Sequence, residues 1–334
     1  MPNTSKLMFS LTLIMGSILT ISSESWLGIW MGLEMNMISF IPILFKSKST
    51  NSAESCMIYF LVQSIGSILM LMIVLTNPSL MMLPYVEDKL VNTMLVFSML
   101  IKLGAPPFHF WFPEIIKKME WTESLILMTW QKIAPMTIMS YLIVSSPMIP
   151  IIVSLSVITG AIGGLNQTSI KKIMAFSSIN HMGWMIACMK LDNLLWMLYL
   201  LIYSIIITMM ISLFKKYSAS YINQLTMNSS TFSEKMLIII LFLSLGGLPP
   251  FLGFLPKWMV IQTMIISNTI PTLIIMIMSS LITLFYYLRL ISSSLMINTP
   301  SWKWNMQTYS IDPKWTIFMI IINMSLPVIL TFIF

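Results

Sequence analysis

The chain is poor in charge, histidine, cysteine and arginine. Only 9% of its 334 residues are charged, against roughly 25% in an ordinary soluble domain, so water is not its main solvent. The two cysteines, Cys56 and Cys188, each lie inside an apolar run with no CxxC spacing and no histidine cluster nearby. That argues against a disulfide framework, a structural zinc site or an iron–sulfur cluster. There is no GxGxxG after a strand pattern, no Walker sequence and no nucleophile elbow, so hydride transfer, nucleotide hydrolysis and covalent catalysis lack their usual residues. No polar linker, low-complexity tract or sustained charge run divides the chain, and residues 1–334 read as one domain. The basic residues form no patch interleaved with exposed aromatics, which disfavours nucleic acid as a partner.

What is present is apolar. Hydrophobic residues make up 57% of the chain and the mean hydropathy is +0.89. Apolar stretches of about 20 residues, enough to cross ~30 Å of hydrocarbon, fall at approximately 7–23, 26–45, 56–76, 90–113, 124–145, 147–165, 172–190, 194–214, 236–265, 268–291 and 315–334. The expected fold class is therefore all-α, a polytopic membrane protein with about 11 transmembrane helices. The first stretch lacks a small-x-small cleavage site and runs almost directly into the second, so it is read as a membrane helix and not as a signal peptide.

The 18 Lys and Arg residues set the orientation, because basic residues accumulate on the side of insertion. Lys6 and the loops after the even-numbered helices hold thirteen of them, including Lys46, Lys48, Lys117, Lys118, Lys171, Lys172, Lys215, Lys216, Lys235, Arg289, Lys303 and Lys314; the opposite loops hold Lys89 and Lys190. The N-terminus is thus expected on the insertion side and, after eleven crossings, the C-terminus on the other. Three lysines remain, Lys102, Lys132 and Lys257, all inside apolar runs, and one acid, Glu34, sits near the middle of a span. A charge in hydrocarbon costs at least ~2.5 kcal/mol unless it pairs or finds water inside the bundle. Snorkelling to the headgroups is the plain alternative, but Lys102 lies about twelve residues into its run, ~18 Å along a helix.

Two Pro-Pro-Phe motifs interrupt the apolar runs, KLGAPPFHFWFPE from Lys102 to Glu114 and SLGGLPPFLGFLPKW from Ser244 to Trp258. Their cores, Pro106–Phe108 and Pro249–Phe251, are 143 residues apart, and Pro113 and Pro256 follow at the same offset. A Pro-Pro pair removes two backbone donors and clashes with the preceding turn, while Gly104, Gly246 and Gly247 loosen the chain just before Pro106, Pro107, Pro249 and Pro250. Unpaired backbone at membrane depth is tolerated only where it is buried in protein or lines a wet cavity. Helices 4 and 9 are therefore expected to be discontinuous. They stand five crossings apart, so the repeat is inverted, helices 1–5 (residues 1–145) against 6–10 (146–291), with a loop and final helix at 292–334.

Histidine is confined to His109, two residues after the first Pro-Pro pair, and His181 in SSINHMGWM. Each is a possible proton relay, since imidazole donates at one nitrogen while accepting at the other near neutral pH, and each is equally read as a packing residue. Ser177, Ser178 and Asn180 suit relay water or interhelical hydrogen bonds. The 35 methionines and 11 tryptophans read as soft packing and interfacial anchors, and no methionine cluster has the histidine partners a copper site needs.

Taken together, MGLEMN around Glu34, KLGAPPFHFWFPE around Lys102, TWQKIAP around Lys132, LNQTSIKKIMAFSSINHMGWM and GGLPPFLGFLPKW around Lys257 resemble the NADH dehydrogenase subunit 2 family, the antiporter-like subunits of respiratory complex I, in its shortened animal mitochondrial form. The resemblance spans nearly the whole chain; each fragment alone also resembles subunits of multisubunit cation/proton antiporters. It implies a proton-translocating subunit of the membrane arm of NADH:ubiquinone oxidoreductase, with Glu34, Lys102, Lys132 and Lys257 as the relay and His109 in the family's histidine position. It also implies that NADH, FMN, the iron–sulfur clusters and ubiquinone are bound by other subunits, with no cofactor or metal in this chain. The implied partners are other membrane-arm subunits, neighbouring antiporter-like subunits, accessory subunits and lipids such as cardiolipin. The implied place is the mitochondrial inner membrane, N-terminus in the matrix and C-terminus toward the intermembrane space. Glu114 stands where the bacterial-type pattern has aspartate. In the expected mechanism Glu34 and Lys102 form a switchable pair, and a proton released from Lys102 passes to Lys132 and, through water, to Lys257. An antiporter subunit with the same lysine path, or a structural scaffold of the membrane arm, is the alternative.

Overall fold

The computed structural model describes residues 4–45, 49–80, 87–143, 148–190, 193–224, 232–296 and 313–325. Among these the chain is helical throughout: α1 (Thr4–Ser22), α2 (Trp26–Leu44), α3 (Thr50–Leu80), α4 (Glu87–Leu103), α5 (Trp111–Lys118), α6 (Trp121–Met128), α7 (Trp130–Leu142), α8 (Ile149–Gly164), α9 (Ile170–Met189), α10 (Asn193–Lys216), α11 (Phe232–Gly246), α12 (Phe254–Ile266), α13 (Ile270–Met296) and α14 (Pro313–Asn323). Lys46, Lys48, Lys303 and the part of the expected final helix beyond Ser325 lie outside the described residues.

Among the described residues five helices are long and apolar enough to cross a membrane, at Thr4–Ser22, Trp26–Leu44, Thr50–Thr76, Asn193–Lys216 and Ile270–Ser292, with shorter apolar helices at Leu90–Leu103, Ile149–Gly164, Phe254–Ile266 and Lys314–Asn323. Their outward faces carry exposed large apolar side chains, such as Leu7, Met15 and Ile18 on α1 and Met57, Leu61, Ile65 and Ile68 on α3. In water such faces would be a large liability; against lipid tails they are the expected surface. Hydroxyls within the helices turn back onto their own backbone, as Ser17 Oγ does to Ile14 O at 2.8 Å and Ser244 Oγ to Leu241 O at 2.7 Å. Hydroxyls bonded in this way do not meet hydrocarbon unsatisfied.

The chain forms two compact units, residues 1–156 and 157–334. In the first, α1 and α2 cross closely because glycine stands at the contact. A Cβ at Gly16 would come 2.9 Å from the Asn36 nitrogen, and one at Gly32 would come 2.6 Å from Thr20 Cγ2. Small residues at such crossings let backbones approach when no hydrophobic effect drives helices together. Lys118 Nζ meets Glu54 Oε2 at 2.6 Å and ties the start of α3 to the turn between α5 and α6. Both side chains are substantially exposed, so removing the pair with Glu54→Gln should change thermal stability by less than ~1 kcal/mol; a larger loss in a melting experiment would show that this clamp carries weight.

In the second unit α9 is the central element, buried on nearly every side. Gly160 of α8 lets it approach, since a Cβ there would come 2.6 Å from the Asn180 nitrogen, and Asn180 Nδ2 donates to Val157 O at 3.2 Å. The turn before α9 is pinned twice. Ile170 N–H donates to Ser220 O at 3.0 Å beside the Ser169–Tyr221 bridge, and Arg289 donates to Leu165 O at 2.6 Å and Gln167 O at 2.9 Å.

Candidate functional site

The first break begins where α4 stops at Leu103. Gly104 has φ +68°, a left-handed conformation that costs glycine nothing. Its N–H donates to Ile101 O at 3.2 Å and the N–H of Ala105 to Leu100 O at 3.0 Å, the two bonds of a Schellman closure. A side chain is excluded here twice over, because a Cβ at Gly104 would also come 3.0 Å from Phe112 Cβ and from Trp111 Cζ2. Pro106 and Pro107 follow, and helix resumes at Trp111.

Lys102 sits in the last turn before this break and is 7% exposed. Its stem passes over Gly66 of α3, where a Cβ would come 3.0 Å from Lys102 Cγ. Its own carbonyl, one of those a helix end leaves without a partner, accepts from Gln63 Nε2 at 3.0 Å. The carboxylate that acts on the Lys102 ammonium is that of Glu34. Glu34 Oε2 is buried and makes no hydrogen bond, so the two charges interact across a gap and not through a direct bridge.

Lys132 is 2% exposed and lies in the first turn of α7. The sequence reads one continuous helix here, but α6 ends at Met128 and Thr129 has φ −116° and ψ −71°. The cause lies six residues on: Pro135 has no N–H for the Gln131 carbonyl, and its ring presses on that carbonyl. At the fault Leu125 O accepts from both the Thr129 N–H, at 3.0 Å, and Thr129 Oγ1, at 2.7 Å. Lys132 Nζ stands 5.7 Å from the centroid of the Phe112 ring, a cation–π distance. Phe112 is in α5, so the first break positions both lysines.

Between Lys102 and Lys132 lies a cavity of about 20 Å³, measured as space open to the centre of a water molecule, and both lysines line it together with Asn36, Tyr59, Gln63 and Gln131. A water needs about 10–15 Å³ by this measure and two to four polar partners; the cavity offers both. Asn36, Tyr59, Gln63 and Gln131 were not among the residues singled out from the sequence. The signal was available, since each is a polar side chain inside an apolar run.

The second break repeats the first at the backbone. Gly247 has φ +77°, its N–H donates to Ser244 O at 3.0 Å, and Leu248 N–H donates to Leu243 O at 3.3 Å. Each partner stands 143 residues after its counterpart in the first break. The turn back to helix matches as well, with Phe108 N–H on Ala105 O at 2.9 Å and Phe251 N–H on Leu248 O at 3.0 Å. Gly246, expected to loosen the chain, is instead the last residue of α11 and keeps an ordinary φ.

The charges do not follow the backbone repeat. Lys257, 5% exposed on α12, reaches back to donate to Gly246 O at 2.8 Å and lies 5.8 Å from the Trp184 ring centroid. Its ammonium caps the carbonyl end of α11, the negative pole of that helix, where the first break uses the neutral amide of Gln63. The residue 143 positions before Lys257 is the exposed Glu114, and the residue 143 after Lys102 is Leu245. The two units thus share a fold of the chain and differ in where they hold a cation.

His181 is 7% exposed, with Nδ1 2.8 Å from Tyr199 Oη and its ring 4.9 Å from that of Tyr203. His109 lies within the first break, stacked on Phe110 at 4.3 Å, with Nδ1 buried and without a hydrogen bond. The structure brings neither imidazole into the cavity between Lys102 and Lys132.

The pattern of the family described as NADH:quinone oxidoreductase/Mrp antiporter, transmembrane, matches residues 23–283. The NADH-ubiquinone oxidoreductase chain 2 of Anopheles gambiae is 46% identical over 314 residues, covering 91% of this chain and 90% of its own. The protein of the same name from Locusta migratoria is 43% identical over 303 residues, covering 90% of this chain and 89% of its own. A chain of the respiratory complex I of Thermus thermophilus, solved with bound aureothin, has the same fold at a TM-score of 0.83 and 20% identity, over 96% of this chain and 76% of its own.

Proposed function

The chain belongs to the NADH:quinone oxidoreductase/Mrp antiporter transmembrane family, and from that membership and its buried lysines we propose that it is a proton-translocating membrane-arm subunit of NADH:ubiquinone oxidoreductase. The observation that carries the reading is the cavity of about 20 Å³ shared by Lys102 and Lys132. Two cations buried side by side repel each other, and each is costly in a low-dielectric interior. The stable arrangement has one proton for the two amines, with water between them to pass it.

In this mechanism Glu34 sets where that proton rests. While its carboxylate faces Lys102, the ammonium is favoured there; when the pair separates, Lys102 gives its proton through cavity water to Lys132. The Gly66 contact and the Gln63 bond hold the lysine's backbone and stem in place, leaving the terminal amine as the moving part. Lys257 is the relay group of the second unit, held at the end of α11 by the Gly246 carbonyl. The driving change comes from quinone reduction elsewhere in the enzyme, whose other subunits bind NADH, FMN, iron–sulfur clusters and ubiquinone.

The chain crosses the mitochondrial inner membrane eleven times, as an inverted repeat of 1–145 and 146–291 with a final helix, its N-terminus in the matrix and its C-terminus toward the intermembrane space. Support comes from the excess of lysine in one set of loops and from the two Schellman closures in matched positions. Neighbouring antiporter-like and accessory subunits flank it, and its lysine-rich edge suits anionic lipid such as cardiolipin.

The test is Lys102→Met in the assembled enzyme reconstituted into vesicles. Methionine fills the lysine's volume without a titratable group, so the complex should assemble while NADH-driven proton transport falls by ~100-fold or more, the loss typical of a directly transferring group. Proton transport at the normal rate would refute the function proposed here.

A further inference from the structure

The relay has to be loaded with protons, and an entry route to the cavity is written on one face of α3. In a membrane helix the face turned to neighbouring helices carries small residues and the polar side chains that must avoid lipid. On α3 it carries Ser52, Ser55, Tyr59 and Gln63, spaced three or four residues apart and 6%, 1%, 2% and 8% exposed, whereas the opposite face is the row of exposed Met57, Leu61, Ile65 and Ile68. The stripe covers about 16 Å of helix axis. Its inner end is the cavity, where Tyr59 and Gln63 stand in the wall and Tyr59 Oη lies 3.5 Å from Gln131 Oε1. Two further wall residues carry buried polar atoms without a hydrogen bond, the acceptor Asn36 Oδ1 and the donor Gln131 Nε2. Such atoms cost ~1–3 kcal/mol each when left unsatisfied, and an acceptor and a donor beside the same water-sized space are complementary to one water.

At the outer end of the stripe is Glu123. It is 5% exposed and lies within electrostatic reach of Cys56, which sits on α3 beside Ser55. The Lys118–Glu54 pair at 2.6 Å holds this end of α3 against the turn that leads to Glu123. Glu123 and Lys132 are nine residues apart, so the carboxylate stands about 14 Å nearer the lysine-rich end along α6 and α7.

We propose that Glu123 and the polar face of α3 form the entry branch of the relay, with Glu123 collecting protons at the lysine-rich face and Asn36 and Gln131 holding the water that delivers them to the Lys102/Lys132 cavity. The Glu123 carboxylate takes a proton from solution. That proton is handed inward through water along the stripe and through the Tyr59 hydroxyl, and it ends on whichever of the two amines is neutral. The amides of Asn36, Gln63 and Gln131 do not themselves carry it; they fix the water that does. The inference deepens the proposed function and rests on it.

Glu123 also has a structural duty, since it closes the capping box of α6 by accepting the Glu120 N–H at 3.1 Å. Glutamine serves a capping box equally well at this position, which separates the two roles. Glu123→Gln should leave the assembled complex intact and slow NADH-driven proton uptake roughly tenfold, less than the ~100-fold of a directly transferring group because water replaces part of the route. Tyr59→Phe, which deletes one hydroxyl, should slow uptake in the same direction without touching the cap. Normal uptake in assembled Glu123→Gln or Tyr59→Phe enzyme would overturn the entry branch. Lys132→Met, measured in parallel, distinguishes the failures. If it abolishes transport while the other two variants are normal, the entry branch alone falls; if it too is normal, the proposed function falls with it.

Discussion

Replacing Lys257 by arginine is expected to leave the chain assembled and to stop proton transport. The side chain has two duties that methionine would abolish together, a hydrogen bond to Gly246 O at 2.8 Å and a cation over the Trp184 ring. Losing the bond leaves a helix-end carbonyl unpartnered inside the protein, at a cost of ~1–3 kcal/mol, so a defect in Lys257→Met mixes stability with chemistry. Arginine keeps the charge, the donors and the affinity for an aromatic face, but its guanidinium holds its proton under all physiological conditions. Assembly in Lys257→Arg should thus approach the wild-type level while transport falls by ~100-fold or more. Reconstituted enzyme would be assayed for both. Transport restored along with assembly would make Lys257 a helix cap and nothing more.

The second large effect is structural, and glycine carries it. Gly253 has φ −67° and ψ −12°, a conformation any residue adopts, so a substitution there brings no backbone strain. Space is the constraint, because a Cβ at Gly253 would fall on the Ser244 carbonyl, and that carbonyl belongs to the Schellman closure and cannot swing away as a side chain would. Gly253→Ala should push α12 off α11, costing ~3 kcal/mol or more, at the upper end for overpacking, and the chain should be lost from the assembled complex. Gly246→Ala is the control. The nearest atoms to a Cβ there are Tyr287 Cδ2 at 3.7 Å and Leu284 Cδ1 at 3.8 Å, ordinary contacts, and alanine favours helix by up to ~1 kcal/mol over glycine. The control should assemble normally, and an equal defect in both variants would show that the break tolerates no side chain for some other reason.

The two Pro-Pro-Phe motifs and the lysines were legible because each violates a rule locally. A proline pair cannot sit inside a helix and a charge cannot sit in hydrocarbon, whatever surrounds them. The fault at Thr129 was not legible in this way: it has neither proline nor glycine beside it, and its cause is Pro135, one and a half turns further on. Asn36, Gln63 and Gln131 went unremarked because a neutral amide in an apolar run carries a weaker penalty than a charge. Their importance lies in one another, and they stand 27 to 95 positions apart along the chain. The repeat of the backbone does not extend to the charges, since at the shared offset Lys257 matches Glu114 and Lys102 matches Leu245.

By itself the sequence determined that this chain lives in lipid, that two Pro-Pro-Phe motifs interrupt its helices, and which three lysines and one glutamate fall inside apolar runs, because each is set by the residue and its immediate surroundings. The tertiary structure alone decided that Lys102 and Lys132 face one water-sized cavity, that Lys257 caps α11, and that α3 turns a polar stripe toward Glu123. Those outcomes depend on how closely helices cross, which glycines at positions such as 16, 66 and 160 permit and no local pattern encodes.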